Sequence, residues 1–303
     1  TRAIRTHLDS ISPQDEISWP VFAELRDKWA GRVDLQAVSL IGCDSYDDLG
    51  VGYAPTADIT AAAGGVLGLV TYPVPDLRQR ILDVFELAAD RDLDVDFHTD
   101  ETMAPSTEAL RVIAEVALEI GWDRNIVVGH CCSLSTQEEA RALDTLDLVA
   151  KAGINVVSLP MCNLYLQDRA TDRTPRFRGI TLVHEMRARG ISVSFASDNT
   201  RDPFYAYGDL DMVEVMRQAT RIGHLDHSRP DWPLAFSTNP ARACGFETPS
   251  LAPGAPADLI IFQAREWTEL YSRPQSDRMV IRNGEPIDTT LPDYSELDHL
   301  MDV

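Results

Sequence analysis

The chain has 303 residues, 44% of them hydrophobic and 25% charged, ordinary values for a globular protein with enough length to bury a large core. The charge balance is unusual: 27 Lys and Arg against 48 Asp and Glu give −21. That sign opposes nucleic-acid backbones and anionic membrane surfaces as partners, and no apolar stretch reaches the roughly 18 residues that a membrane helix needs.

Five cysteines, Cys43, Cys131, Cys132, Cys162 and Cys244, form neither a zinc-binding spacing nor an even disulfide set. Reduced, packed thiols in an intracellular, cytoplasmic compartment are the expectation. The chain opens abruptly in strand-like sequence, Thr1-Arg-Ala-Ile-Arg-Thr-His7. It shows no initiator Met and no signal peptide there, as an internal piece of a longer chain would.

From there to about Gly223, strand-length apolar runs alternate with helical patterns. Strands are predicted over 3–7, 34–40, 66–72, 94–98, 126–130, 155–159 and 192–197. Helices are predicted between them, among them 21–30, 76–91, 106–120, 137–152 and 181–189. Leu77, Ile81, Val84, Phe85 and Ala88 recur at the spacing of one helix face. Gly153 and Gly190 close two helices just before a strand.

Strands and helices alternating every 30 residues or so mean parallel βαβ units. An open doubly wound sheet gathers its functional groups mainly at one switch point. Here the polar residues end strands far apart in sequence, which favours an α/β fold of the (β/α)₈ TIM-barrel type, with seven of its eight strands visible. Beyond residue 249 the character changes. A Pro- and Gly-rich turn feeds a strand at 258–262, a second follows at 278–282, and Asn283-Gly284 is a hairpin signal. A barrel over 1–249 and part of a small β domain, with a tail, over 250–303 are expected.

Seven histidines are present. His184, His224, His227 and His299 sit in helical or loop stretches without ligand context. His7, His98 and His130 each end an apolar strand, where a barrel keeps its chemistry. His98 is the foremost candidate metal ligand. Asp198, closing the last barrel strand, could bind the ion or take a proton from its water. Glu101 lies one turn past His98 as a general acid/base. His130 would polarise the scissile group or stabilise the developing oxyanion. The two lysines, Lys28 and Lys151, fall in helical stretches. Neither can bridge two metals from a strand end as a carboxylated lysine, so one metal ion is expected.

These residues bring a family into view. His98-Thr-Asp-Glu101, Val128-Gly-His130, the run from Gly153 through Pro160, Asn163 and Gln167 to Arg169, and Arg178-Gly-Ile-Thr181 carry the resemblance. Ser197-Asp198-Asn199, Asp202-Pro203-Phe204 and Gly254-Ala-Pro-Ala-Asp258 continue it. The chain resembles the amidohydrolase superfamily, within it the cytosine-deaminase-like branch, and the C-terminal strands look like that superfamily's composite β-sandwich. The resemblance implies one divalent ion, Zn²⁺ or Fe²⁺, held by His98 and Asp198. It also implies catalytic roles for Glu101, His130 and Asp198, and Asn199 and Phe204 as substrate-lining residues.

The expected enzyme is a metal-dependent hydrolytic deaminase in which metal-bound hydroxide attacks an amidine-type carbon of a small nitrogen heterocycle. A homo-oligomer is expected. The alternatives are a triazine-type amidohydrolase that cleaves a cyclic amide or substituted amine, and a catalytically dead binding protein. Two departures bear on the substrate. The family's opening His-x-His pair is absent from the sequence and is expected upstream of Thr1. No Gln stands near Leu40-Ile41-Gly42-Cys43, where cytosine deaminases read the base edge. Leu40 then occupies the base-facing position, and cytosine itself is not the expected substrate.

Overall fold

A computed structural model describes residues 1–45 and 52–301, so Asp302 and Val303, at the tip of the expected C-terminal unit, lie outside the described residues. Seven strands run parallel: β1 (Ala3–Asp9), β2 (Asp34–Leu40), β3 (Leu67–Val70), β4 (Val95–Thr99), β5 (Ile126–His130), β6 (Asn155–Ser158) and β7 (Val193–Phe195). Their spatial order is the order of the chain. β2 and β3 are joined by parallel bridges at Val38–Val66 and Gly42–Val70. An order without reversal has no switch point, so the doubly wound alternative is excluded and the barrel topology stands. Among the described residues β7 and β1 are not paired with each other.

The helices are α1 (Gln14–Trp29), α2 (Ala54–Ala62), α3 (Leu77–Asp90), α4 (Ala109–Ile120), α5 (Glu139–Lys151), α6 (Pro160–Leu166), α7 (Val183–Ala188), α8 (Met212–Gly223) and α9 (Thr238–Ala243). On α3 the residues at helical spacing, Ile81, Val84, Phe85 and Ala88, are all buried. Burying each larger side chain there contributes about 1.5–3 kcal/mol. Gly153 (φ 68°) and Gly190 (φ 77°) supply the left-handed residue that ends α5 and α7 before a strand.

α1 begins seven residues ahead of its predicted start. Asp15 and Glu16 favour its first turn, and Trp19 with Phe22 caps the small core formed with Ala37. α2 has no counterpart among the predicted helices, because its apolar residues are spread around the helix rather than gathered on one side. α6 lies within an irregular motif, although Pro160 at its first position is a start signal.

Parallel register sorts the side chains. His98 lies opposite Gly129 and Asp96 opposite Val127, while Val95, Phe97, Ile126 and Val128 alternate onto the other face. The latter join Ile113, Leu146 and Val149 in the core between sheet and helices. The inner face therefore receives Arg5, His7, Gln36, Asp96 and His98, a polar set.

Gly68 stands where β2, β3 and β4 approach most closely. A Cβ there would collide with the Ser39 carbonyl oxygen and the Val38 side chain, and would lie 3.1 Å from the Asp96 carbonyl oxygen. Its N–H donates to Ser39 Oγ at 3.0 Å, and its carbonyl accepts from Tyr53. Gly68→Ala is expected to destabilise by about 1–3 kcal/mol through overpacking. Denaturant unfolding checks this, and a change below about 0.5 kcal/mol would contradict the close packing.

The chain divides into two compact units, Thr1–Thr248 and Pro249–Val303. The second holds β8 (Leu259–Ile261), α10 (Trp267–Ser272), β9 (Met279–Arg282) and β10 (Glu285–Pro286). Its strands form an antiparallel sheet in the order β10-β9-β8, with Asn283-Gly284 as the hairpin turn. Asp258 pairs with Arg282 across it and accepts the Asn283 N–H at 2.7 Å. All five cysteines are free thiols. Among the described residues no helix is long and apolar enough to cross a membrane.

Candidate active site

The carboxyl ends of β1, β4, β5 and β7 bring six ionisable side chains together in two trios. In one, ligand atoms of His7, Asp96 and His98 all lie within 4.8 Å of one another, and in the other those of Glu101, His130 and Asp198 do. The histidines link them, with ring centroids of His7 and His98 4.4 Å apart and those of His98 and His130 4.9 Å apart.

The backbone at these strand ends is uncommon. Asp100 (φ 52°), His130 (φ 71°), Cys131 (φ 52°) and Asp198 (φ 63°) are all left-handed without being glycine. Such conformations cost roughly 1–3 kcal/mol each and cluster at functional sites. At His130 the reason is visible. It pairs with Thr99 on the helix-facing side of the register, and the left-handed turn carries its ring beside His98 instead. At Asp100 the turn is held by the buried carboxylate, which accepts the N–H groups of Ala109 (2.8 Å) and Leu110 (3.0 Å) at the start of α4. Burial raises its carboxyl to about 6. Glu101 is thereby anchored at the mouth, with 32% of its side chain exposed.

Electrostatics separate the groups. Burial, then the negative charge of Asp198, raises the Glu101 carboxyl to about 8, close enough to neutral for a group that exchanges protons. Burial, then repulsion by His7, lowers His98 to about 3, leaving the neutral imidazole that a metal needs. His130 is pushed down by burial and the neighbouring histidines. Burial also works against charge on Asp96, but His7 and then Arg5 outweigh it and hold the carboxylate well below its ordinary range. His98 Nδ1, His130 Nε2 and Asp198 Oδ2 are buried without a hydrogen-bond partner. Three such atoms in one cluster are groups that a bound ion or ligand would satisfy.

The predicted residues fall as follows. Glu101, His130 and Asp198 are brought together, whereas His98, expected to share the ion with Asp198, sits in the trio with His7 and Asp96. Asn199 donates to Asp202 in the loop after β7. Phe204, on the same loop, is 62% exposed. Leu40 ends β2 on the inner face, paired with Asp9. Both lysines lie on helices, Lys28 in α1 and Lys151 in α5.

Arg5, Gln36, Asp96 and Asn163 also take part, and sequence reasoning gave none of them a role. Asp96 joins Arg5 Nη1 at 2.8 Å and His7 Nε2 at 3.3 Å, and Arg5 Nε donates to Gln36 at 2.7 Å. The signal for Asp96 was its place two residues before His98, on the same strand face. Asn163, buried on α6, sets its amide nitrogen 3.0 Å from His130 Nδ1 and 3.3 Å from Glu101 Oε1. Nothing in local sequence pattern announces that contact.

The sequence profile of the amidohydrolase family matches residues 22–288. The chain is 50% identical over 299 residues to the pterin deaminase of Rhizobium rhizogenes, covering 98% of this chain and 68% of that protein. Among solved structures it is similar to 5-methylcytosine deaminase from Klebsiella pneumoniae liganded with phosphonocytosine. That match has a TM-score of 0.80 at 27% identity and covers 96% of this chain and 72% of that one. N-isopropylammelide isopropylaminohydrolase from Burkholderia multivorans matches with a TM-score of 0.70 at 25% identity, over 94% and 70% of the two chains.

Proposed function

The chain belongs to the amidohydrolase family, and we propose that it is a hydrolytic deaminase whose heterocyclic substrate is a pterin. The observation that carries the substrate is the 50% identity to a pterin deaminase across 299 residues. A pterin offers what the site chemistry requires, an amidine-type carbon that bears an amino group and is flanked by ring nitrogens. Water adds to that carbon and ammonia leaves, and the ring becomes a dioxo product.

The donor set fits a divalent ion of the kind that takes imidazole and carboxylate, Zn²⁺ or Fe²⁺. The buried, unpartnered His98 Nδ1 and Asp198 Oδ2 support these two residues as the ones that would hold it. When bound, such an ion supplies the Lewis acidity that makes water a nucleophile at neutral pH.

The remaining work belongs to side chains. Glu101, as the carboxylate, takes one proton from the attacking water and gives it to the ring nitrogen, then carries the second proton from the new hydroxyl to the amine, which leaves as ammonia. His130 directs Nε2 toward the developing oxyanion. Asp96 accepts from His7 and so keeps that ring beside His98. Leu40, Asn199 and Phe204 line the approach of the ring.

The test is ammonia release by the metal-loaded chain from pterin, cytosine and N-isopropylammelide. Ammonia from pterin in equal amount to the dioxo product is expected. Alkylamine released from the third substrate, with no turnover of pterin, would transfer the chain to the triazine-type reading. No product from any of the three at full metal occupancy would sink the proposal altogether.

A further inference from the structure

We propose that Asn163 is a positioning residue that selects the tautomer of His130, so that His130 presents Nε2–H to the reacting atoms as a hydrogen-bond donor. The inference rests on the deaminase reading for its chemistry, though its geometry stands by itself.

His130 Nδ1 has two neighbours. The Asn163 amide nitrogen is 3.0 Å away, and Glu101 Oε1 is 3.3 Å away. The same amide nitrogen is 3.3 Å from Glu101 Oε1. One –NH₂ group carries two hydrogens, so it can donate one to the imidazole and one to the carboxyl oxygen. That assignment satisfies all three atoms at once. It makes Nδ1 the acceptor; a proton on Nδ1 would have to go to Glu101 Oε1 instead and would leave the nearer Asn163 hydrogen without an acceptor on the ring. A neutral imidazole with an accepting Nδ1 carries its proton on Nε2.

Nε2 is buried and has no partner. It belongs to a ring whose Nδ1 is already committed, so its N–H is free to meet a substrate oxygen. His130 acts in this arrangement as a donor to developing negative charge and not as the base. Proton transfer is left to Glu101, and the Asn163 amide ties the two groups to one geometry. α6 delivers Asn163 from below: its N–H is bonded to the Leu159 carbonyl at 3.0 Å, and Gln167, just past the helix, donates to the Glu101 carbonyl at 3.4 Å.

Nitrogen-15 spectra of the full chain with labelled histidine, loaded with diamagnetic Zn²⁺, read the tautomer directly, with His130 assigned by its loss in His130→Asn. The expected result is an unprotonated Nδ1 and a protonated Nε2. A protonated Nδ1 in the wild-type chain would overturn the proposal, and this holds whatever substrate the enzyme takes.

Asn163→Asp places an acceptor against Nδ1 and should move the proton onto it. Asn163→Leu removes the donor with little change of volume. Each is expected to lower kcat about 100-fold, the scale of losing one aimed donor, while KM and metal content stay near the wild-type values. If the folded Asn163→Leu chain keeps the wild-type tautomer and rate, Asn163 does not select the tautomer. Absence of any pterin turnover by the wild type, with the tautomer as expected, would count against the substrate reading alone.

Discussion

Glu101→Gln is expected to lower kcat for deamination by about 1000-fold, within the roughly 10²–10⁴-fold range of a positioned proton carrier. The amide matches the carboxyl in shape and can still meet Asn163, but it cannot take a proton from water or return one to the ring. Substrate affinity should change little, because the loss falls on the transition state and not on ground-state binding. The raised Glu101 carboxyl, about 8 through burial and the charge of Asp198, suits a group that both takes a proton and returns it near neutral pH. Steady-state kinetics with metal content and a thermal melt on the same preparation check this. A folded, metal-replete Glu101→Gln chain within tenfold of the parent rate, a shift of about 1.4 kcal/mol, would remove Glu101 from the proton path.

Asp96→Ala is expected to be the most damaging single change to stability away from the apolar core. Asp96 and Arg5 are nearly sealed from water, with side chains 4% and 7% exposed, and their contact is 2.8 Å. Removing the carboxylate leaves the guanidinium uncompensated inside the barrel, at a cost of about 3–5 kcal/mol. For a unit of this size that lowers the melting temperature by roughly 6–20 °C.

Replacing both partners with apolar residues of similar volume, Arg5→Met with Asp96→Leu, should recover most of the loss, because no charge is then stranded. Circular-dichroism melts of the single and double variants decide the matter. A single variant that melts within about 2 °C of the parent, or a double variant no better than the single, would show that the pair is not the inner brace of the barrel. The double variant still loses the acceptor of His7, so its metal content separates the brace from the support that Asp96 gives to His7.

The seven parallel strands were legible because each is a short apolar run bounded by turn residues. β2 and β5 match their predicted limits, and β3 and β7 are shorter than predicted. α3 was equally legible, since Ile81, Val84, Phe85 and Ala88 mark one buried face. α2 and α6 were not, because a helix packed on several sides or seven residues long leaves no periodic stripe. His7, His98 and His130 were readable as strand-end residues. That His98 also groups with His7 and Asp96 was beyond any local pattern.

The amino-acid sequence by itself determined the alternation that makes an α/β barrel, the acidic surface, and the His98-Thr-Asp-Glu101 and Asp198 landmarks of hydrolytic chemistry. Period and turn chemistry act over a few residues, so the chain carries them locally. The tertiary structure alone decided which side chains meet. Parallel register set Arg5, His7, Asp96 and His98 on one inner face. A left-handed turn brought His130 beside His98, and a short helix after β6 carried Asn163 to His130 and Glu101. Those contacts join residues 33 to 91 positions apart, and distance along the chain hides them until the strands pair.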